Sequence, residues 1–216
     1  MRELYDAEIR GWDRALAGLV GGLATLGVDR STVLIVTGDH GEGFQEHGRL
    51  GHGTQLYDEL LRVPLIMVGP SIPPGRVTDL VQGIDFFPTV SALLGLPAVP
   101  DLPGRDLLLP HDDERAAVSE TTGGIAPDDT YVSLVSLRTR RWKLIHTPTL
   151  GRYELYDLVR DPGEQDDRYE TAAEAAALAE QLAGWRATTA PPPYPEGADP
   201  GLRGSATSTD RARRSG

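Results

Sequence analysis

The side chains best suited to chemistry are concentrated between Thr37 and Gly53, in the stretch TGDHGEGFQEHGRLGHG. Asp39 and His40 are adjacent, and a carboxylate with an imidazole is a competent pair of ligands for a divalent metal such as Ca²⁺, Mn²⁺ or Zn²⁺. Two ligands are too few to hold the ion, so the others must come from elsewhere. His47 and His52 follow in the same glycine-rich segment, and either comes over an anion bound at this place if the loop folds back.

A structural interpretation of the same stretch is also open, in which Asp39 caps a turn and the histidines are solvent-exposed loop residues. His47 is interpreted as a loop histidine that supports the site. Glu42 and Glu46 are interpreted as structural or solvated acids.

The elements around this stretch predict where it lies. Apolar residues at steps of three and four indicate a core-facing helix over 3–27, capped by Gly27. The runs TVLIVT (32–37) and VPLIMVG (63–69) lack alternation, which is typical of strands buried on both faces. They predict an α/β fold with a largely parallel sheet and helices on both faces. Asp39 and His40 then lie at the carboxyl end of a strand, where ligands bind in such sheets.

Further along, Asp85 is a plausible N-cap for a helix over 85–95 whose buried face holds Phe87, Val90, Leu93 and Leu94. Three strand-like stretches then predict an antiparallel meander, and an Ala/Glu-rich helix closes the folded part. These stretches are 131–139, 141–147 and 152–158, and the helix is 171–186. We therefore predict domains at 1–110 and 111–187, with a disordered tail at 188–216.

Composition excludes several functional classes. The 32 acids against 21 bases give a formal charge of −11, which provides no electrostatic footprint for nucleic acid. No apolar run is long enough for a membrane span. The absence of cysteine excludes disulfides, thiolate metal sites and a cysteine nucleophile in these 216 residues. The charged start is unlike a signal peptide, so no compartment is indicated.

Three segments, taken in order, resemble the sulfatase family of the alkaline-phosphatase superfamily. They are STVLIVTGDHGEGFQEHG, GHGTQLYDELLRVPLIMVGP and VQGIDFFPTVSALLGLP. The resemblance extends over 3–187, because the later RTRRWKLIHT and YELYDLVRDPGEQDD are similar to the family's small C-terminal subdomain. It implies an incomplete alkaline-phosphatase-like α/β domain followed by a small antiparallel sheet and a helix.

The resemblance also implies roles. Asp39 matches the metal-ligand aspartate, His40 the neighbouring ligand, and His52 the position that contacts the ester oxyanion or leaving-group oxygen. The implied cofactor is one divalent metal ion, Ca²⁺ for a sulfatase and Mn²⁺ or Zn²⁺ for a phosphoryl-transfer relative. The implied substrate is a small sulfate or phosphate ester.

One part of the family pattern is missing: no C/S-x-P-x-R nucleophile motif occurs in the sequence. The chain is therefore expected to be a C-terminal half, inactive alone and with exposed apolar surface where a separate N-terminal half would pack. Three functions remain open. They are hydrolysis of sulfate esters, hydrolysis or transfer at phosphodiesters, phosphonate esters or phosphoglycerol within the same superfamily, and a non-catalytic remnant or interaction module.

Overall fold

The first helix, α1 (Arg2–Thr25), forms where the apolar spacing predicts it. Gly27 follows its end with φ of +70° and donates its N–H to the Ala24 carbonyl at 3.0 Å, as predicted for a capping glycine. The computed structural model describes residues 1–110, 114–125 and 131–189. Within that part, no residue of α1 is buried, and Leu4 is 71% exposed. The prediction that the apolar stripe faces a core is wrong, because few described residues pack on it.

Strands β1 (Leu34–Thr37) and β4 (Leu65–Val68) are neighbours, as predicted. They pair antiparallel, with Leu34 opposite Val68 and Thr37 opposite Leu65. The parallel orientation predicted for this pair is therefore wrong. The prediction that both runs are buried on two faces is also wrong, since Ile66 and Val68 of β4 are 54% and 58% exposed. No long crossover helix lies between the two strands, so a parallel connection is not available to them.

The segment between these strands contains a short hairpin, β2 (Gly43–Phe44) with β3 (Leu50–Gly51), and one helical turn, α2 (Asp58–Leu61). Leu56 and Leu60 anchor it, since each is only 3% exposed. Near its N-terminus α1 contacts the hairpin, where the Tyr5 and Phe44 rings meet edge to face at 5.1 Å.

Helix α3 (Phe86–Leu93) follows a 3₁₀ turn, Gly83–Asp85. Asp85 occupies the N-cap position, but its carboxylate accepts no bond from α3 and binds the Gln82 and Arg105 backbone N–H groups instead. The predicted apolar face is exposed, with Phe87 at 59%, and the buried positions are Asp85 and Thr89. The prediction that this apolar face is buried is therefore wrong, because few described residues pack on it.

The C-terminal part is a four-stranded antiparallel sheet whose strands are neighbours in chain order. Its last three strands confirm the predicted meander, and Leu137, Leu144 and Leu155 form its fully buried centre. The first strand was not predicted, because AVSETTGGI has little apolar content and an irregular register after Thr121. The four strands are β5 (Ala117–Ile125), β6 (Tyr131–Arg138), β7 (Trp142–Thr147) and β8 (Arg152–Asp157).

The chain divides into two units, Met1–Ala179 and Glu180–Gly216. Helix α4 (Ala175–Thr189) matches the predicted closing helix and supplies the described part of the second unit. The predicted disordered tail falls almost entirely on 190–216, outside the described residues, and the predicted domain boundaries remain predictions. The α/β class with a small antiparallel sheet is confirmed.

Candidate metal and anion site

Asp39 and His40 follow the end of β1 directly. The His40 backbone N–H donates to Asp39 Oδ1 at 3.0 Å, and this bond is the main reason that the pKa of Asp39 lies below its usual value. The carboxyl side chain is 90% exposed, so it is an accessible anion at neutral pH. Its second oxygen, Oδ2, lies 3.6 Å from His40 Nε2.

The hydrogen bonding of His40 determines which ring nitrogen can act as a ligand. Nδ1 lies 2.8 Å from the Gly41 carbonyl oxygen, which can only accept, so Nδ1 carries the hydrogen in the neutral ring. Nε2 is left with its lone pair, the arrangement commonly found in metal-binding histidines. Asp39 Oδ2 and His40 Nε2 are thus two adjacent metal-ligand atoms, each with a free lone pair, whose separation suits a cation roughly 2.0–2.6 Å from each.

His52 joins this pair through its ring, which stacks on the His40 ring with centroids 4.0 Å apart and 27° between planes. His52 therefore lies against His40, as the prediction of one converging site requires, whereas its chemical role stays a prediction. His52 Nδ1 lies 3.3 Å from Glu42 Oε2. Glu42 Oε1 is buried and accepts no hydrogen bond from the part of the chain that the structure describes.

Glycines shape the loop in two ways. Gly41 allows a close approach, since a β-carbon there would lie 1.9 Å from the Glu59 carbonyl oxygen. Its N–H donates to the Leu60 carbonyl at 2.8 Å, which fixes the loop on α2. The return of the loop instead uses left-handed backbone at Gly51 and Gly53, with φ of +93° and +83°. Gly41 therefore serves packing, whereas Gly51 and Gly53 serve the turn.

His47 does not offer a nitrogen to a metal ion. Nδ1 lies 2.6 Å from Glu59 Oε1 and Nε2 lies 2.9 Å from the Glu164 carbonyl oxygen, so both nitrogens are engaged. Its ring stacks on the Tyr57 ring at 3.5 Å. The structure therefore gives His47 a supporting position that joins the loop to other segments.

A buried ionic cluster beneath the site was missed by the sequence analysis. Lys143 is fully buried, with Nζ 2.9 Å from Asp58 Oδ1 and 3.1 Å from Glu164 Oε1. Arg138 binds the same Asp58 carboxylate with contacts of 3.0–3.3 Å. Burial raises the pKa of Asp58, but the two cations outweigh it and the pKa lies below its usual value. The one available signal was a single lysine within an apolar strand.

No group of three or more His, Cys, Asp or Glu side chains suited to a metal occurs within 1–110, 114–125 and 131–189. Asp39 and His40 are consequently a partial ligand set among the described residues. Their carboxylate and unprotonated imidazole nitrogen fit a divalent ion in donor type and in spacing.

The α/β fold and this loop define a chain with the architecture of the alkaline-phosphatase-like sulfatases. Residues 1–96 match the Sulfatase family model. Arylsulfatase K of Rattus norvegicus is 32% identical over 180 residues, covering 76% of this chain and 31% of that protein. Choline-sulfatase of Rhizobium meliloti (strain 1021) is 28% identical over 165 residues, covering 76% and 32%.

Among solved structures, the phosphonate monoester hydrolase of Agrobacterium radiobacter superposes with a TM-score of 0.67 and 30% identity. The match covers 82% of this chain and 39% of that one. The chain thus spans about a third of the length of the curated relatives it matches. No helix among the described residues is long and apolar enough to cross a bilayer.

Proposed function

We propose that this chain provides the cation-binding and leaving-group side of a metal-dependent hydrolase of sulfate esters. The observation that carries the proposal is the pair of donor atoms after β1, Asp39 Oδ2 and His40 Nε2, with the His52 ring stacked beside them. The match of residues 1–96 to the Sulfatase family supports it.

In the proposed reaction, Asp39 and His40 hold the divalent ion, Ca²⁺ in the first instance, which supplies positive charge beside the ester oxygens when bound. Hydrolysis breaks the bond between sulfur and the ester oxygen, water supplies hydroxide to sulfur, and the departing oxygen gains a proton. His52 is proposed to donate a hydrogen bond to that oxygen. Its Nδ1 faces the Glu42 carboxylate, which can only accept, so Nδ1 carries a hydrogen there and Nε2 donates to the departing oxygen from the doubly protonated ring.

The nucleophile is proposed to come from a polypeptide segment outside these 216 residues. Two facts support this: the sequence has no C/S-x-P-x-R motif and no cysteine, and the curated relatives are about three times as long as the matched region. A complementary N-terminal half is the proposed partner. Its natural docking surface is the exposed apolar stripe of α1, which includes Trp12 and Leu19.

Two further functions have support of their own. Hydrolysis of phosphonate or phosphate esters, with Mn²⁺ or Zn²⁺ as the ion, is supported by the likeness to a phosphonate monoester hydrolase. A non-catalytic interaction role is supported by the exposed apolar stripe and the missing motif. Metal binding separates the first two functions from the third.

Calorimetric titration of the full chain with Ca²⁺ and with Mn²⁺ tests the proposal. We expect weak saturable binding, with a dissociation constant on the order of 10⁻⁴–10⁻³ M, because these 216 residues provide a partial ligand set. Asp39→Ala removes one of the two donors and should abolish binding, whereas Asp13→Ala, an exposed aspartate on α1, should leave it unchanged. Equal binding by all three proteins would contradict the proposal.

A further inference from the structure

We propose that His47 is a positively charged latch, joining the β2–β3 hairpin to α2 and to the loop after β8. The latch thereby positions the segment from Asp39 to Gly53, which we call the site loop. Its ring lies between the Glu59 carboxylate of α2 and the Glu164 backbone carbonyl. The charge of the latch follows from geometry alone. Its role in positioning His52 rests on the proposed function.

The number of protons on His47 can be counted from its neighbours. A carboxylate at 2.6 Å from Nδ1 and a carbonyl oxygen at 2.9 Å from Nε2 both accept, so each ring nitrogen must carry a hydrogen. The Gln165 amide nitrogen lies 3.1 Å from Nε2, but its two hydrogens already point to the carbonyls of Gly163 and Glu46. His47 is therefore an imidazolium in the folded chain.

The groups that face His47 favour this charge. Burial disfavours the imidazolium, but the hydrogen bonds to Glu59 and to the Glu164 carbonyl outweigh it and raise the pKa of His47. The Tyr57 ring covers one face, and its hydroxyl donates away from His47 to Glu154.

Charges behind this first layer are largely compensated. The Glu164 carboxylate contacts Lys143, and Asp58 pairs with Lys143 and Arg138. On the hairpin itself, the Glu46 carboxylate binds Arg2 and the Phe44 N–H. Glu59 is consequently the carboxylate that responds directly to the charge on His47.

The latch acts on the site through the hairpin. His47 lies in the turn between β2 and β3, which is closed by the Gln45 N–H donating to the Arg49 carbonyl at 2.9 Å. His52 comes directly after β3, and Glu42 directly before β2. Holding this turn in place therefore fixes both members of the Glu42–His52 pair.

The latch has a defined pH dependence. The pKa of His47 is raised above 6.5, so its stabilising contribution is complete below pH 6.5 and is lost as the pH rises through the folded pKa. The neutral ring keeps one N–H, so either Glu59 or the Glu164 carbonyl then loses its donor. Amides of the hairpin and of the loop around Glu164 should lose protection together.

The test is a nitrogen-15 NMR titration of the histidine rings of the full chain, with hydrogen exchange measured in parallel. We expect both His47 nitrogens to be protonated at pH 6.5. After correction for intrinsic exchange, hairpin amides should exchange about tenfold faster once His47 is neutral. Glu59→Gln keeps the size of the acceptor but removes its charge, so it should lower the pH at which protection is lost.

His47→Gln should abolish the pH dependence of hairpin exchange, whereas His146→Gln, in the C-terminal sheet, should retain it. A singly protonated His47 ring at pH 6.5, or the same pH dependence in His47→Gln as in the wild type, would overturn the latch. The wild-type spectrum decides the first point even if a variant fails to fold. Neither measurement requires metal or substrate. The charged state of His47 can therefore be confirmed even if the metal titration shows no binding, and metal binding can be observed even if His47 is not charged.

Discussion

Replacement of Lys143 by methionine tests the buried ionic cluster that supports the site loop. Methionine keeps the apolar stem of the side chain but removes the cation 2.9 Å from Asp58 and 3.1 Å from Glu164. Asp58 then keeps one cation, Arg138, whereas the buried Glu164 carboxylate loses the ion pair with Lys143. Removing one partner from a buried ion pair costs about 3–5 kcal/mol, so Lys143→Met should lower the free energy of unfolding by that amount.

Urea denaturation followed by far-ultraviolet circular dichroism measures this loss. Arg168→Met is the matched control, because Arg168 and its partner Asp166 are both exposed and lie 3.1 Å apart. The control should lose less than about 1 kcal/mol. If Lys143→Met and Arg168→Met unfold at the same urea concentration, the ionic cluster does not support the fold as argued.

Four further outcomes are expected. The pKa of Asp58 is depressed, so its contribution to the free energy of unfolding is present above pH 3.8 and is lost as the pH falls through the folded pKa. Unfolding measured across acidic pH should show this loss, and a stability that does not fall there would refute the pairing. Asp85→Ala leaves the mostly buried Arg115 unpaired and should cost about 3–5 kcal/mol in urea denaturation, whereas an unchanged midpoint would refute this. The chain should bind a hydrophobic dye, with less bound by Trp12→Glu, and a dye-silent wild type would argue against exposed apolar helices. Aryl sulfate hydrolysis by the chain alone should stay at background, and turnover abolished by Asp39→Ala would refute the missing-nucleophile argument.

Sequence patterns predicted the positions of the helices and strands better than the orientation and burial of these elements. The apolar spacing over 3–27 identified α1, and the β-branched runs identified β1 and β4 as neighbours. The orientation of those strands was predicted wrongly, because continuous apolar runs are usual in parallel sheets but do not require that direction. The exposure of α1 and α3 was equally inaccessible, since an amphipathic pattern shows which face is apolar and not whether anything covers it.

The part of the candidate site that could be predicted consists of residues that are close together in the sequence as well as in the structure. Asp39 and His40 are adjacent to a strand end, and the glycines around His52 indicated the return of the loop. The contact between Glu42 and His52 was missed because a loop glutamate has no periodic pattern that reveals its neighbour. Lys143 was missed for a different reason: its partners lie far away in the sequence.

Paramagnetic broadening by Mn²⁺ tests the central claim most directly, that Asp39 and His40 bind a cation with His52 beside them. Substoichiometric Mn²⁺ is added to the full chain while the assigned ring resonances of the histidines are followed. The account predicts that His40 and His52 broaden first, that His146 keeps its linewidth, and that Asp39→Ala removes the effect. Uniform broadening of all three rings, or unchanged broadening in Asp39→Ala, would contradict it.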